Sequence, residues 1–214
     1  MIDGVVFDMD GVLTDTEQAW IALFDEMVGV YGETLSEKDR TELFGCSDAR
    51  ENVVLGRVLD MTPEEVAPLK EQWCAAHQFG YGELAIEGNL QLARALRCRG
   101  IRCAIASSSA RANVERMLDE TGMDDVFAVV VTGDDIEHAK PAPDAYVAAA
   151  DRLGIAPERL IAVDDSPVGV DAAVGAGLTT VQYSVNPAWD TQNQRVSAIV
   201  RTPEELERDL LARL

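Results

Sequence analysis

Two rhythms of apolar residues divide the chain. From residue 16 to about residue 82, Trp20, Leu23, Phe24 and Met27 recur at the spacing of a helix with one buried face, and no strand-like alternation breaks the block. That stripe reads as core packing rather than a ligand box. Ser36-Glu37-Lys38-Asp39 and Thr62-Pro63-Glu64-Glu65 read as helix starts of the capping-box type, the second with proline at the first helical position. Phe44-Gly45-Cys46-Ser47 reads as a turn between helices. From Gly88 onward short apolar runs alternate with helical ones. Strands are predicted at 101–106, 126–132, 160–163, 179–183 and 198–200. Helices are predicted at 90–96, 112–121, 143–153 and 168–176, with a last one begun by Thr202-Pro203-Glu204-Glu205, and Gly154 and Gly177 close two of them. Strands of about five residues separated by helices of about ten indicate parallel βαβ units. Ahead of both blocks lies Val5-Val6-Phe7, a short buried strand ending at Asp8. The expected fold class is therefore α/β: a sheet domain, 1–15 and 83–214, interrupted just after its first strand by a helical insertion, 16–82.

Composition narrows the partners. The 214 residues are 47% hydrophobic and 26% charged, enough to bury a sizeable core. Eighteen basic against 38 acidic residues give a formal net charge of −20. That argues against nucleic acid or an anionic membrane surface as a partner, since both need a basic face. A small anionic substrate stays compatible, because a few local cations govern a pocket when distant charges are screened within about 8 Å. Cys46, Cys74, Cys98 and Cys103 show neither zinc nor thioredoxin-like spacing, so reduced thiols and a cytoplasmic location are expected. No signal peptide and no bilayer-crossing segment is read, and monomer is the default expectation. His77 and His138 are too few for a histidine metal site and are expected at the surface.

The chemistry gathers at predicted strand ends, where open α/β sheets bind their ligands. Asp8 and Asp10 lie two residues apart, so extended backbone points both carboxylates the same way, and Gly11 permits a sharp turn directly after them. Asp164-Asp165 and Ser107-Ser108-Ser109 end two other strands, and Lys140 lies in Ala139-Lys140-Pro141-Ala142-Pro143-Asp144. Three or four carboxylates in one place need a hard cation, and Mg2+ suits few carboxylates completed by water and substrate phosphate. A lysine stiffened by two prolines supplies a fixed ammonium, and Ser107 a hydroxyl donor for a phosphate oxygen. These parts describe phosphoryl transfer through an aspartyl-phosphate. Asp8 would attack phosphorus, and Asp10 would protonate the leaving oxygen and later deprotonate water.

In that order and spacing the four stretches resemble the haloacid dehalogenase superfamily of phosphohydrolases, over essentially the whole chain. Asp8-Met9-Asp10-Gly11-Val12 is similar to its nucleophile motif, Ser107 to its second, Lys140-Pro141-Ala142-Pro143-Asp144 to its third, and Val163-Asp164-Asp165-Ser166-Pro167-Val168-Gly169 to its metal-binding fourth. The resemblance implies a Rossmann-like parallel sheet core with an inserted α-helical cap that closes over substrate. It also implies Mg2+ held by Asp8, the backbone carbonyl of Asp10 and Asp165, with Asp164 beside them. Within the superfamily the chain resembles the β-phosphoglucomutase-like group. Asp10 sets it apart from the dehalogenase branch, which lacks an acid there.

The expected activity is a Mg-dependent phosphatase acting on a small phosphorylated metabolite, a sugar or polyol phosphate. The alternative enzyme is a mutase, which needs cations for a second phosphate. In the mutase an arginine follows the cap's turn and a lysine follows the serines of the second motif; here those positions are Asp48 and Ala110. Arg50, Arg111 and Lys70 are the nearby substitutes, but the departures favour hydrolysis. Gly45, Cys46, Ser47, Ser108, Ser109 and Arg111 are the expected substrate-binding residues, with Trp20 as a helper. The non-enzymatic alternatives are a receiver-like phospho-acceptor, which lacks so long an insertion after its first strand, and a catalytically silent binding module.

Overall fold

The apolar run before Asp8 forms β1 (Gly4–Phe7), buried along its whole length, in a computed structural model that describes residues 2–44, 46, 48–185 and 187–214. Such a run has no polar side to show water, so it must be covered on both faces, the situation of a strand inside a parallel sheet. The other strands are β2 (Arg102–Ala106), β3 (Val129–Val131), β4 (Leu160–Asp164), β5 (Thr179–Tyr183) and β6 (Ala198–Val200). They form a six-stranded sheet in the order β3-β2-β1-β4-β5-β6. Every pairing in it is parallel. The chain steps outward from β1 on one side and from β4 on the other. The order therefore reverses between β1 and β4, and the carboxyl ends of those neighbours face a crevice.

The chain divides into two compact units, Met1–Asp15 with Tyr81–Leu214, and Thr16–Gly80. The sheet belongs to the first, with α5 (Glu87–Cys98), α6 (Arg111–Thr121), α7 (Asp144–Leu153), α8 (Pro167–Gly175) and α9 (Pro203–Arg213). Tyr146, Ala149 and Leu153 of α7 and Ala172 and Ala173 of α8 share one buried cluster with Val6, Ala104 and Ala162 of the sheet. Gly154 ends α7 in the left-handed conformation at φ +64°, which lacks the Cβ clash other residues meet there. Where the chain leaves and re-enters this unit, the two passages lie side by side: Asp15 N–H donates to Leu84 O at 2.7 Å and Ile86 N–H to Leu13 O at 2.9 Å.

The second unit is helical: α1 (Glu17–Val30), α2 (Glu37–Leu43), α3 (Asp48–Leu59) and α4 (Pro63–Ala76). Both expected capping boxes are present, with Ser36 and Asp39 exchanging bonds at the start of α2 and Thr62 and Glu65 doing so before Pro63 of α4. Leu23, Phe24 and Met27 are buried, and Phe24 and Met27 pack with Val54, Leu55 and Val66, so the stripe is core. Trp20 lies against the same cluster, its ring edge-on to Phe79 at 4.7 Å. No helix among the described residues is long and apolar enough to cross a membrane.

One predicted strand is much shorter than its apolar run. Residues 126–132 are apolar enough for a strand, yet only Val129–Val131 pair. Val126 N–H turns back to Met123 O at 3.0 Å, and Phe127 packs edge-on against Phe7 at 6.2 Å. These two residues are buried by side-chain packing, which periodicity does not distinguish from strand pairing.

Candidate active site

Sheet register does the first part of the assembly. Phe7 is level with Val163 of β4 and Ile105 of β2, so Asp8 follows at the level of Asp164 and Ala106. Asp8 N–H continues the ladder to Val163 O at 2.8 Å, and Ser107 N–H does the same to Val131 O at 3.0 Å. Side chains at matched levels of adjacent parallel strands share a face, so Asp8 and Asp164 are brought together.

Lys140 joins them from the connection after β3. Its ammonium is 3.0 Å from Asp8 Oδ1 and 2.7 Å from Asp164 Oδ2, and only 6% of its side chain is exposed. Burial alone would pull the lysine toward its neutral form, but the charges of Asp164 and Asp8 outweigh that and hold it protonated. Asp164 is saturated: Oδ2 also accepts Tyr146 OH at 2.6 Å, and Oδ1 accepts Ser166 N–H and Oγ–H, each at 3.0 Å. Burial pushes its carboxyl upward, and the Lys140 ammonium with these donors brings it below the ordinary value. Asp8 has fewer such donors. Burial first, then the neighbouring Asp164 and Asp10, raise it to about 7 against the pull of Lys140.

Asp165 completes the group. One carboxylate oxygen from each of Asp8, Asp164 and Asp165 lies within 4.8 Å of the other two, and all three residues are buried. Gly11 makes room for Asp165. At φ +74° a side chain there would be strained, and its Cβ would fall on the Asp165 carboxylate. Gly169 does the same for Asp164, whose carboxylate fills the place of a Cβ in the first turn of α8. Three buried carboxylates against one buried ammonium leave two negative charges to balance. An all-oxygen donor set with that deficit fits a hard divalent cation.

On the other side of Asp8, Ser109 Oγ–H donates to Asp10 Oδ2 at 2.6 Å, and Ser109 N–H donates to Ser107 Oγ at 3.0 Å. Ser107 is wholly buried. The three-serine turn thus reaches the Asp8–Asp10 segment directly, with Ser109 on the carboxylate of Asp10. Ser108 stands between them, and its carbonyl lies 2.5 Å from where a Cβ on Gly133 would be.

The remaining expected residues have other partners. Arg111 begins α6 with its guanidinium 2.6 Å from Asp135 Oδ2, and its N–H is 2.8 Å from Asp134 Oδ2. In the helical unit, Lys70 is buried on Asp48 and on Glu51, the latter at 2.6 Å, and Arg50 pairs with Glu42 at 2.7 Å. Cys46 is half-buried, its thiol pushed up to about 12 by burial and by Glu51 and Glu17. Gly45 and Ser47 lie outside the described residues. Both histidines are exposed. Tyr146 was not foreseen: a tyrosine inside an apolar helix gives no local sign that its hydroxyl meets a carboxylate 18 residues later. Ser166 had a readable signal in Ser166-Pro167-Val168-Gly169, the start of a helix, where the serine caps Gly169 N–H at 3.1 Å while also holding Asp164.

Comparison with known proteins identifies the family. The sequence profile of the haloacid dehalogenase-like hydrolases matches residues 5–183. The chain is 26% identical over 210 residues to a phosphorylated carbohydrates phosphatase of Thermotoga maritima, covering 96% of each. It is 30% identical to the protein CbbY of Rhodobacter capsulatus, covering 92% of this chain and 90% of that one. The fold superposes on a β-phosphoglucomutase of Clostridium difficile with a TM-score of 0.81 at 19% identity, over 100% of this chain and 96% of that one.

Proposed function

The chain belongs to the haloacid dehalogenase-like hydrolases, and on that footing we propose that it falls in the β-phosphoglucomutase-like group, whose fold it shares, and is a Mg2+-dependent phosphatase of a small phosphorylated sugar or polyol. Its activity as a phosphatase accords with its curated relatives, one of which is named for phosphorylated carbohydrates. The observation that carries the rest is Asp8, a buried carboxylate 3.0 Å from Lys140 and grouped with Asp164 and Asp165.

Asp8 is the nucleophile in this reading. One of its oxygens attacks phosphorus, the bond from phosphorus to the leaving oxygen breaks, and Asp10 gives that oxygen its proton. Ser109, bonded to Asp10 at 2.6 Å, holds the acid in its place before substrate arrives. Asp10 then takes a proton from water as the water oxygen attacks the phosphorus of aspartyl-phosphate, which releases inorganic phosphate and regenerates Asp8. Lys140 stays charged throughout and offsets the negative charge of the transferring group. Ser107 offers its hydroxyl to a phosphate oxygen. Asp8, Asp165 and the backbone carbonyl of Asp10 would hold Mg2+, with Asp164 alongside keeping Lys140 in register. The cation supplies charge neutralisation for the phosphoryl group when bound.

Hydrolysis is favoured over mutase chemistry by Asp48 and Ala110, which stand where the mutase has cations for a second phosphate. The sequestered Lys70 points the same way, since its charge is already matched by Asp48 and Glu51. The test is a phosphate-release screen over phosphorylated metabolites in EDTA and in Mg2+. Steady Mg2+-dependent release without a bisphosphate activator is expected. Efficient isomerisation of a sugar phosphate would overturn the reading.

A further inference from the structure

Gln182, on β5, has no part in the chemistry above, yet it is fully buried and all of its amide is engaged. Nε2–H donates to Asp165 O at 2.8 Å and to Trp189 O at 2.9 Å, while Oε1 accepts Thr191 N–H at 2.8 Å. Two carbonyls on one end and an N–H on the other define the amide's orientation, and no other side chain of that length offers two donors and one acceptor in that arrangement. Gln182 is level with Asp164 in the sheet, so its reach extends along the loop just past the paired acids.

The loop it grips is itself anchored. Asp190 takes a two-pronged bond from Arg201, 2.6 Å on each oxygen, and accepts Ser184 Oγ–H at 3.0 Å. Asp165 is thus held from two directions. Its backbone is tied through Gln182 to an anchored loop, and its carboxylate rests in the space left by the missing side chain of Gly11. A carboxylate attached to a backbone free to shift by an ångström would meet a small ion poorly, because Mg2+ tolerates little deviation from its short octahedral bonds.

We propose that Gln182 is a positioning residue for the metal site: it fixes the backbone of Asp165 and so sets the affinity for the divalent cation. This rests on the proposed metal role of Asp165. Partners one step removed from a metal ligand typically govern affinity by about 10–100-fold.

The experiment is calorimetric titration of Mg2+ alone into the metal-free full chain, with Gln182→Asn and Gln182→Leu beside the unmodified protein. Near-ultraviolet circular dichroism checks the fold of each. Asparagine keeps the amide but falls short of Asp165 by one methylene, and decides the matter if the leucine variant does not fold. Mg2+ binding about 10–100-fold weaker is expected in a folded variant, with kcat recovered at high Mg2+ and substrate KM within about twofold of the unmodified enzyme. A buried glutamine that served stability alone would lower the unfolding midpoint and leave Mg2+ affinity untouched. Equal affinity in a folded Gln182→Asn protein therefore overturns the inference while the metal reading stands. An activity loss that excess Mg2+ does not restore overturns it too. No Mg2+ binding by the unmodified chain overturns both.

Discussion

Neutralising Asp8 by Asp8→Asn should abolish turnover and, in the absence of metal, make the protein more stable. The unmodified site buries three carboxylates against one ammonium, and Asp8 bears the imbalance with a value of about 7 in place of 3.8. A rise of that size corresponds to about 4 kcal/mol of stability carried by the protonated form and forfeited when the group ionises. The sign follows from proton uptake: between pH 4 and 7 the folded protein holds a proton on Asp8 that the unfolded chain has released. Stability from this group is therefore full below the unfolded value and lost as pH rises through about 7. Asparagine cannot ionise, so it escapes that loss; the attraction of Lys140, 3.0 Å away, is already contained in the value of about 7 and is not subtracted again. The expected gain is about 4 kcal/mol at pH 8 in EDTA, falling to about 1.5–2 kcal/mol at pH 5, where the folded protein keeps the proton on Asp8 but the unfolded chain has released it. Urea unfolding in EDTA at the two pH values measures it. Adding Mg2+ should then stabilise the unmodified protein by about 2.7 kcal/mol at a hundred times its Kd, and the variant by less at the same concentration. A variant less stable than the parent at pH 8 in EDTA, or a gap that ignores pH, would refute the charge accounting; residual turnover would refute nucleophilic attack by Asp8.

Other perturbations probe the parts separately. Asp10→Asn should slow turnover by about 10²–10⁴-fold, the range for a lost general acid–base group, and near-normal phosphate release would remove that role. Gly11→Ala should leave the sheet intact but displace Asp165, weakening Mg2+ binding by about 10–100-fold; unchanged calorimetric affinity would mean that the close approach is unimportant. Tyr146→Phe deletes one hydrogen bond to a buried carboxylate and should cost about 1.5–3 kcal/mol in urea unfolding, with the Lys140–Asp164 pair surviving. An undiminished midpoint would show that Asp164 is adequately held by its other donors.

Much of the molecule is written in short contiguous stretches. Val5-Val6-Phe7 announces a buried strand, Ser36 to Asp39 and Thr62 to Glu65 announce helix starts, and Gly154 announces a helix end, because each depends on backbone and side-chain preferences within a few residues. The loops carrying Asp8, Ser107, Lys140 and Asp165 were legible for the same reason. What tertiary structure decided is where those loops meet and which partners they take. Register alone sets Asp8 level with Asp164, and it depends on which strands are neighbours. Arg111 turns to Asp135, Ser109 to Asp10 and Lys70 to Asp48, choices among charged and polar groups that spacing along the chain leaves equal. Tyr146 and Gln182 read as ordinary residues of a helix and a strand, since a buried hydroxyl or amide acquires its role only from groups that folding brings within about 3 Å. Local preference is short-ranged and survives in the sequence; electrostatic and hydrogen-bond pairing is decided by proximity, and proximity exists only once the sheet has formed.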